Sequence, residues 1–289
     1  MTPQYPNQLH IDLDGELSAV VAALEIPSID MRNWGAQLRF SATRKKIEYF
    51  YLEIKPHLQP FTLYGSGDFH HLSALWLRQI QESFILLSFD NHPDWDIRPP
   101  RWCCGGWINR ALELNQLKAA QVWGCGNFEL NWPHHLFAPR KALKTKRLQV
   151  FAWQERYPNL AICQQGSITR DTWRTTFLQQ LAGWQGHHIY ITIDLDCLDS
   201  TEFFSNWEHG LFTVEDLAWA ITQVREHAIL IGGDMCGAYS DPSYSRWTQQ
   251  LISTLDHPKL PNISPAKAAH NNHKAITRLW PLLTHPNNQ

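Results

Sequence analysis

The chain of 289 residues is short of the features that would place it outside the ordinary globular domains. No apolar run approaches the roughly 20 residues needed to cross a bilayer, and the N-terminal stretch MTPQYPNQLHIDLDGEL has no basic region followed by an apolar core. We therefore expect a cytoplasmic protein. Charge bias is also missing: the formal net charge is -2 and the pI is near 6.7, which argues against nucleic acid or a membrane as partner. The six cysteines (Cys103, Cys104, Cys125, Cys163, Cys197 and Cys236) form no C-x-x-C pair, so neither a disulfide framework nor a structural zinc is implied. They read as small buried hydrophobes, although the adjacent pair Cys103 and Cys104 follows the most polar motif of the chain. Finally, no Pro/Gly/Ser linker or charge run marks a second domain, so a single domain over residues 1–289 is expected, with 260–289 as a C-terminal extension.

What is present is a series of short apolar runs: FTLYGSGD (61–68), FILLSFD (84–90), QVWGCG (121–126), RLQVFAW (147–153), HIYITID (188–194) and AILIGGD (228–234). Runs of this length without polar alternation fit strands buried on both faces. Between them lie helical patterns. Leu72, Leu75, Trp76 and Ile80 share one face, as do Val214, Leu217, Ala218, Ile221 and Val224, with Thr213 and Asp216 spaced as a capping box. The alternation predicts a three-layer α/β/α sandwich on a mostly parallel sheet. The first 45 residues, including LHIDLD, are expected to add an edge strand, and the last 30 a loop, one short helix and a frayed end. The 14 tryptophans have no repeat period and read as core and pocket packing.

Function is concentrated where two of the runs end. FILLSFDNHPDWD delivers Asp90, His92, Asp94 and Asp96 in alternation, and HIYITIDLDCLD delivers Asp194 and Asp196 with Asp199 beyond. On a strand, residues i and i+2 share a face, so each motif would gather its carboxylates at one strand end. A single D-x-D in such a place is commonly a turn or cap. D-x-H-x-D with a matching D-x-D is a different matter, because so many acids in an apolar setting repel and desolvate one another unless a cation neutralises them. Ligand sites of open parallel sheets lie at the carboxyl ends of strands, so Asp68, His70 and Asp234 are expected on the same rim.

These motifs resemble those of the arginase and agmatinase ureohydrolase superfamily, which also includes formiminoglutamases. GSGDFHH (65–71), DNHPD (90–94), TIDLDCLDS (192–200) and IGGD (231–234) stand in the order of that family's hallmark segments, and Gly210, Thr213 and Glu215 match a further Gly, Thr and acidic residue. The resemblance implies an arginase-like fold and a binuclear site holding two Mn2+ ions. One ion would take His70, Asp90, Asp94 and Asp194. The other would take His92, Asp90, Asp194 and Asp196, with Asp90 and Asp194 bridging. It implies hydrolysis of a non-peptide C–N bond in a guanidino or amidino small molecule by a metal-bridging hydroxide, oriented by Asp94 or Asp196, with Asp234 holding the guanidinium. Oligomers of identical subunits are common in the family. The donor set of carboxylates and imidazoles suits manganese better than a soft metal.

The chain also departs from that pattern. Phe69 separates Asp68 from the histidines, leaving His70 or His71 as first ligand, and Ser200 stands where Pro is usual. Arg101, Cys104 and Trp107 occupy the region where arginases and agmatinases carry a substrate-site His-Gly, so the pocket is expected to be remodelled. The adjacent His70 and His71 keep open a mononuclear alternative, a deacetylase-like amidohydrolase with one Zn2+ held by Asp90, His92 and Asp194 and with His71 in acid–base catalysis. A third reading is a non-catalytic binding protein stabilised by metal. His209 is read as a surface loop residue or a proton shuttle.

Overall fold

The computed structural model describes residues 7–156, 166–259 and 265–285. Cys163 lies outside them; the other five cysteines are free. Nine strands form one sheet in which every pair is parallel. In chain order they are β1 (Gln8–Asp12), β2 (Ser28–Asp30), β3 (Phe61–Tyr64), β4 (Phe84–Phe89), β5 (Leu117–Cys125), β6 (Leu148–Trp153), β7 (Ser167–Ile168), β8 (His188–Asp194) and β9 (Ile229–Cys236). Across the sheet they run β2-β1-β3-β9-β8-β4-β5-β6-β7. The six apolar runs are β3, β4, β5, β6, β8 and β9. The first 45 residues supply an edge strand as expected, although the outermost one is the three-residue β2, with β1 (from LHIDLD) just inside it.

Helices pack on both faces: α1 (Ser18–Ala23), α2 (Arg32–Leu38), α3 (Arg44–Ile54), α4 (Ser73–Trp76), α5 (Ile108–Ala111), α6 (Arg140–Lys144), α7 (Trp173–Ala182), α8 (Val214–His227), α9 (Trp247–Asp256) and α10 (Pro265–Thr284). One apolar cluster joins α1, α7, α8 and α10 to the inward side chains of β8, among them Ile191 and Ile193; the other joins α2, α3, α4 and α5 to the opposite face of the sheet. Each such side chain fully removed from water contributes about 1.5–3 kcal/mol. The capping box of α8 is formed, with Thr213 Oγ1 accepting from the Asp216 amide and Asp216 accepting from the Thr213 amide. Two expectations are corrected. The pattern over Leu72–Ile80 is not one helix but a 3-10 turn (Gly67–Leu72), α4 and another 3-10 turn (Leu77–Gln79). The C-terminal helix is not short: α10 runs for 20 residues and seals one layer with Ile276, Leu279, Trp280 and Leu283, its periodicity obscured by an internal Pro281, while the loop and the frayed end expected around it lie outside the described residues. No helix among the described residues is long and apolar enough to cross a membrane.

A candidate metal centre at the ends of two central strands

Strands β4 and β8 are neighbours at the middle of the sheet, registered so that Phe89 pairs with Ile193; Asp90 and Asp194 therefore leave the sheet side by side. The convergence beyond that point is not made by strand alternation. β4 stops at Phe89, and the Asp90 carboxylate accepts a hydrogen bond from the His92 amide at 2.7 Å, folding the chain into an Asx-type turn. Asp94 then takes a left-handed φ of 46°, which brings its carboxylate back toward the centre and sends Asp96 outward to pair with Arg98. The same device recurs after β8, where Asp194 accepts from the Asp196 amide at 3.1 Å. The Asn91 amide clips the two turns together by donating to Asp196 Oδ1.

All six expected ligands meet here and all are buried. His70 Nδ1 lies 3.2 Å from Asp90 Oδ2, 3.2 Å from Asp94 Oδ2 and 3.4 Å from Asp194 Oδ2. His92 Nδ1 lies 2.8 Å from Asp196 Oδ2 and 3.6 Å from Asp90 Oδ1. Two overlapping triads result, His70/Asp90/Asp94 and Asp90/His92/Asp196, each with ligand atoms within 4.8 Å of one another and with Asp90 common to both. Asp194 joins His70 in a third grouping with Cys236, whose thiol faces Asp194 Oδ2 at 3.6 Å. His70 Nδ1, Asp90 Oδ2 and Asp196 Oδ2 are buried without a hydrogen-bond partner. Space is also cleared around Asp194: a Cβ on Gly67 would come within 2.7 Å of Oδ2, and one on Gly237, itself at φ 112°, within 2.5 Å of Oδ1. Orphaned acceptors, shared ligands and glycine clearance fit a pair of divalent cations.

The electrostatics agree. Burial pushes Asp94 and Asp196 up to about 7 and Asp194 well above the carboxylate range, with a neighbouring carboxylate adding to each. Burial acts on Asp90 too, but hydrogen bonds and charge from His70 and His92 outweigh it and hold that group at about 2. Both histidines are driven the other way by the acids: although burial opposes it, His70 and His92 are raised well above the ordinary imidazole range. Protons thus stand in where a cation would otherwise balance the charge.

Each histidine is also held from behind. Thr192 Oγ1 donates to Asp234 Oδ1 at 2.7 Å, so its lone pair is left to accept from His70 Nε2 at 2.9 Å, which frees His70 Nδ1 as the ligand nitrogen. His92 Nε2 meets Glu208 Oε2 at 3.2 Å, an arrangement of the same kind. Asp94 Oδ2 accepts from Trp107 Nε1 at 2.6 Å, and the Trp107 ring packs on His70 at 4.7 Å.

Several expected site residues are placed elsewhere. Asp234 is fully buried behind His70, enclosed by the hydroxyls of Tyr64, Ser73, Thr192 and Tyr190, and does not line the cleft; it is not positioned to hold a guanidinium. His71 is buried beside His70 with neither ring nitrogen hydrogen-bonded and also lies outside the cleft lining; burial lowers it to about 3. Asp68 binds Arg39 and His257 rather than local amides, whereas Asp199 does bond locally, to Thr201. Glu215 pairs with Arg278 at the surface. His209 is half-buried and outside the cleft. Of the departures in the pocket region, Cys104 lines the cleft while Arg101 pairs outward with Glu113.

The cleft over the ligands has about 380 Å3 of open space. Its upper walls hold Phe128, Glu129, Trp207 and Asp256, none of which stands out in the sequence. Trp207 is fixed by stacking on His257 at 4.1 Å. Burial, followed by nearby acids such as Asp94, pushes Glu129 well above the carboxylate range.

No family model matches the chain. An uncharacterized protein of Thermotoga maritima is 27% identical over 202 residues, covering 69% of this chain and 66% of that protein, just under two thirds of its length. Among solved structures, a formimidoylglutamase from Bacillus subtilis superposes with a TM-score of 0.56 at 13% identity, covering 96% of this chain and 89% of that one. An arginase from Bacillus subtilis gives 0.55 at 12%, covering 97% and 99%. A formiminoglutamase variant from Trypanosoma cruzi with Mn2+ gives 0.55 at 12%, covering 99% and 96%. At these identities the likeness defines the fold: the chain has the arginase-like α/β fold of the ureohydrolases, followed along nearly its whole length.

Proposed function

We propose that the protein is a binuclear metal-dependent hydrolase of a non-peptide C–N bond in a small guanidino or amidino compound. The observation that carries this reading is the pair of overlapping triads that share Asp90 and leave His70 Nδ1, Asp90 Oδ2 and Asp196 Oδ2 unpartnered. His70, Asp90, Asp94 and Asp194 would hold one divalent ion, and Asp90, His92 and Asp196 the other, with Asp194 within reach of both strand-end turns. Four carboxylates offset the charge of two such ions, and carboxylate with imidazole suits Mn2+, the metal named with the Trypanosoma cruzi structure. Two ions so held supply Lewis acidity and water activated at neutral pH.

The chain's own groups supply the rest. Thr192 with Asp234, and Glu208, orient the two imidazoles. Trp107 anchors Asp94, and the indole of Trp207 with the ring of Phe128 narrows the approach, while Glu129 and Asp256 give the mouth carboxyl oxygens that can accept from a cationic substrate. The single-zinc reading needs a second imidazole facing the cleft, and the placement of His71 away from it speaks for the binuclear one.

The test is metal content by elemental analysis after manganese reconstitution, followed by a screen of guanidino and amidino compounds for urea or ammonia release. Two manganese ions per chain, lost progressively in Asp94→Ala and Asp196→Ala, with chelator-sensitive turnover, is the expected result. One tightly held zinc indifferent to those substitutions would move the assignment to an amidohydrolase of the deacetylase kind.

A further inference from the structure

The cleft does not end at its mouth. It opens into a larger hollow with about 1150 Å3 of open space, and Gly105, Phe128, Glu129 and Asp256 line both. Beyond that junction one wall is apolar, with the Pro99-Pro100 pair, Ile252 and Leu255, while the lining also holds His134 and the mutually paired Asp96 and Arg98. Leu255 is 79% exposed, Ile252 42% and Phe128 39%. Single exposed apolar side chains are ordinary, but three bordering one hollow that leads to a buried acidic centre call for an occupant. At the junction, Glu129 Oε2 is buried with no hydrogen-bond partner, and neither Glu129 nor Asp256 is ion-paired among the described residues.

We propose that the hollow is a tail site, so that the substrate is a cationic amphiphile: an amidine or guanidinium head that enters the cleft past Glu129 and Asp256, on a long apolar chain or ring system that lies against Phe128, Ile252 and Leu255. The head group rests on the hydrolase reading; the tail rests on the hollow. A free amino acid with a short polar skeleton would leave the apolar walls wet. A second copy of the chain is the less suitable occupant, because it would have to cover two carboxyls that lack an ion-pair partner with a molecule that is itself slightly acidic.

The experiment is calorimetric titration of the manganese-reconstituted protein with n-butylguanidinium, n-octylguanidinium and n-octylammonium. Octylguanidinium should bind at least about tenfold more tightly than butylguanidinium, since even partial burial of the added methylenes gives that much. In the double variant Ile252→Ser, Leu255→Ser the gain should vanish and butylguanidinium should bind as before; both positions are exposed, so the fold is retained. Equal affinity for the two chain lengths, or a gain that survives the double variant, overturns the tail site. Octylammonium binding as tightly as octylguanidinium while butylguanidinium fails to bind overturns the head group and with it the hydrolase reading, but leaves the tail site standing. Failure of all three to bind overturns both, and a dimer in sedimentation that Leu255→Ser dissociates overturns the tail site in favour of self-association.

Discussion

Asp194, at the end of β8, and Asp234, two residues before the end of the adjacent parallel strand β9, are both buried, yet their surroundings differ in kind. Around Asp234 the sheet and the start of α4 supply hydroxyls from Tyr64, Ser73, Thr192 and Tyr190 at 2.7–3.1 Å, so its charge is met by donors from the protein itself. Around Asp194 stand Asp90, Asp94 and Asp196, two glycines and His70 Nδ1 at 3.4 Å, and among the described residues it accepts hydrogen bonds only from a backbone amide and a thiol. Asp68 follows the first solution with stronger partners, Arg39 Nε at 2.7 Å and His257 Nε2 at 2.8 Å. A buried carboxylate is thus structural where the chain brings hydrogen to it, and a ligand where the chain brings only more oxygen.

The largest test of this contrast is Asp194→Ala. Metal affinity should fall by more than about a hundredfold, exceeding the effect of outer groups on metal sites. In the unaltered protein, Mn2+ at a hundred times its Kd should raise stability by about 2.7 kcal/mol, read as a shift of Tm that chelator reverses and the variant lacks. An Asp194→Ala protein that still gains stability from Mn2+ would break the comparison at its root.

At Asp68 the opposite outcome is expected. Arg39→Ala leaves a buried carboxylate with one partner and should cost about 3–5 kcal/mol in denaturant unfolding, with metal content per folded chain unchanged. Burial pushes Asp68 up, but the hydrogen bond from His257, followed by the charges of His257 and Arg39, keeps it below the ordinary carboxylate range, so this contribution is present above pH 4 and is lost only as pH falls through the lowered value. Loss of metal without loss of stability in this variant would reverse the assignment.

Thr192 sits between the two environments, and its effect should be intermediate. Thr192→Val removes the acceptor for His70 Nε2, so metal affinity should drop by about 10–100-fold, and Thr192→Ser should restore it. Nitrogen NMR of His70 gives a readout that a merely structural role would not move: the proton should reside on Nε2 in the parent and in Thr192→Ser and be redistributed in Thr192→Val.

The division between the two kinds of carboxylate explains how much could be read in advance. Six strands were visible as apolar runs because a central parallel strand needs apolar side chains on both faces; β2 and β7, with three and two residues, carry too little pattern. The six candidate ligands were visible because metal chemistry restricts residue type and spacing, although strand alternation was the wrong reason for their meeting: Asx-type turns and the left-handed Asp94 do that work. Asp234 was misplaced because an Asp closing an apolar run looks the same in sequence whether the strand stops there or runs on to Cys236, as β9 does, and the four hydroxyls that meet it come from β3, α4 and β8. Glu129, Trp207, Glu208 and Asp256 arrive from separate loops and from α9, with no motif to announce them.

The smallest expected effect concerns a third way of burying an ionisable group, which is to leave it uncharged. His10 is 2% exposed and lies against Ser28 Oγ at 2.8 Å; burial lowers it to about 4, despite Asp12 acting to raise it. The folded protein therefore refuses a proton that the unfolded chain accepts near pH 6.5, and stability should be full above that pH and decline as pH falls toward 4. Between pH 7 and pH 5 the His10 share should be about 2 kcal/mol at most. His10→Gln keeps a partner for Ser28 and should flatten that part of the stability profile in chemical denaturation at fixed metal concentration. An unchanged slope would mean that His10 takes up its proton in the folded state, and that a single hydroxyl beside Asp12 is enough to hold a buried charge.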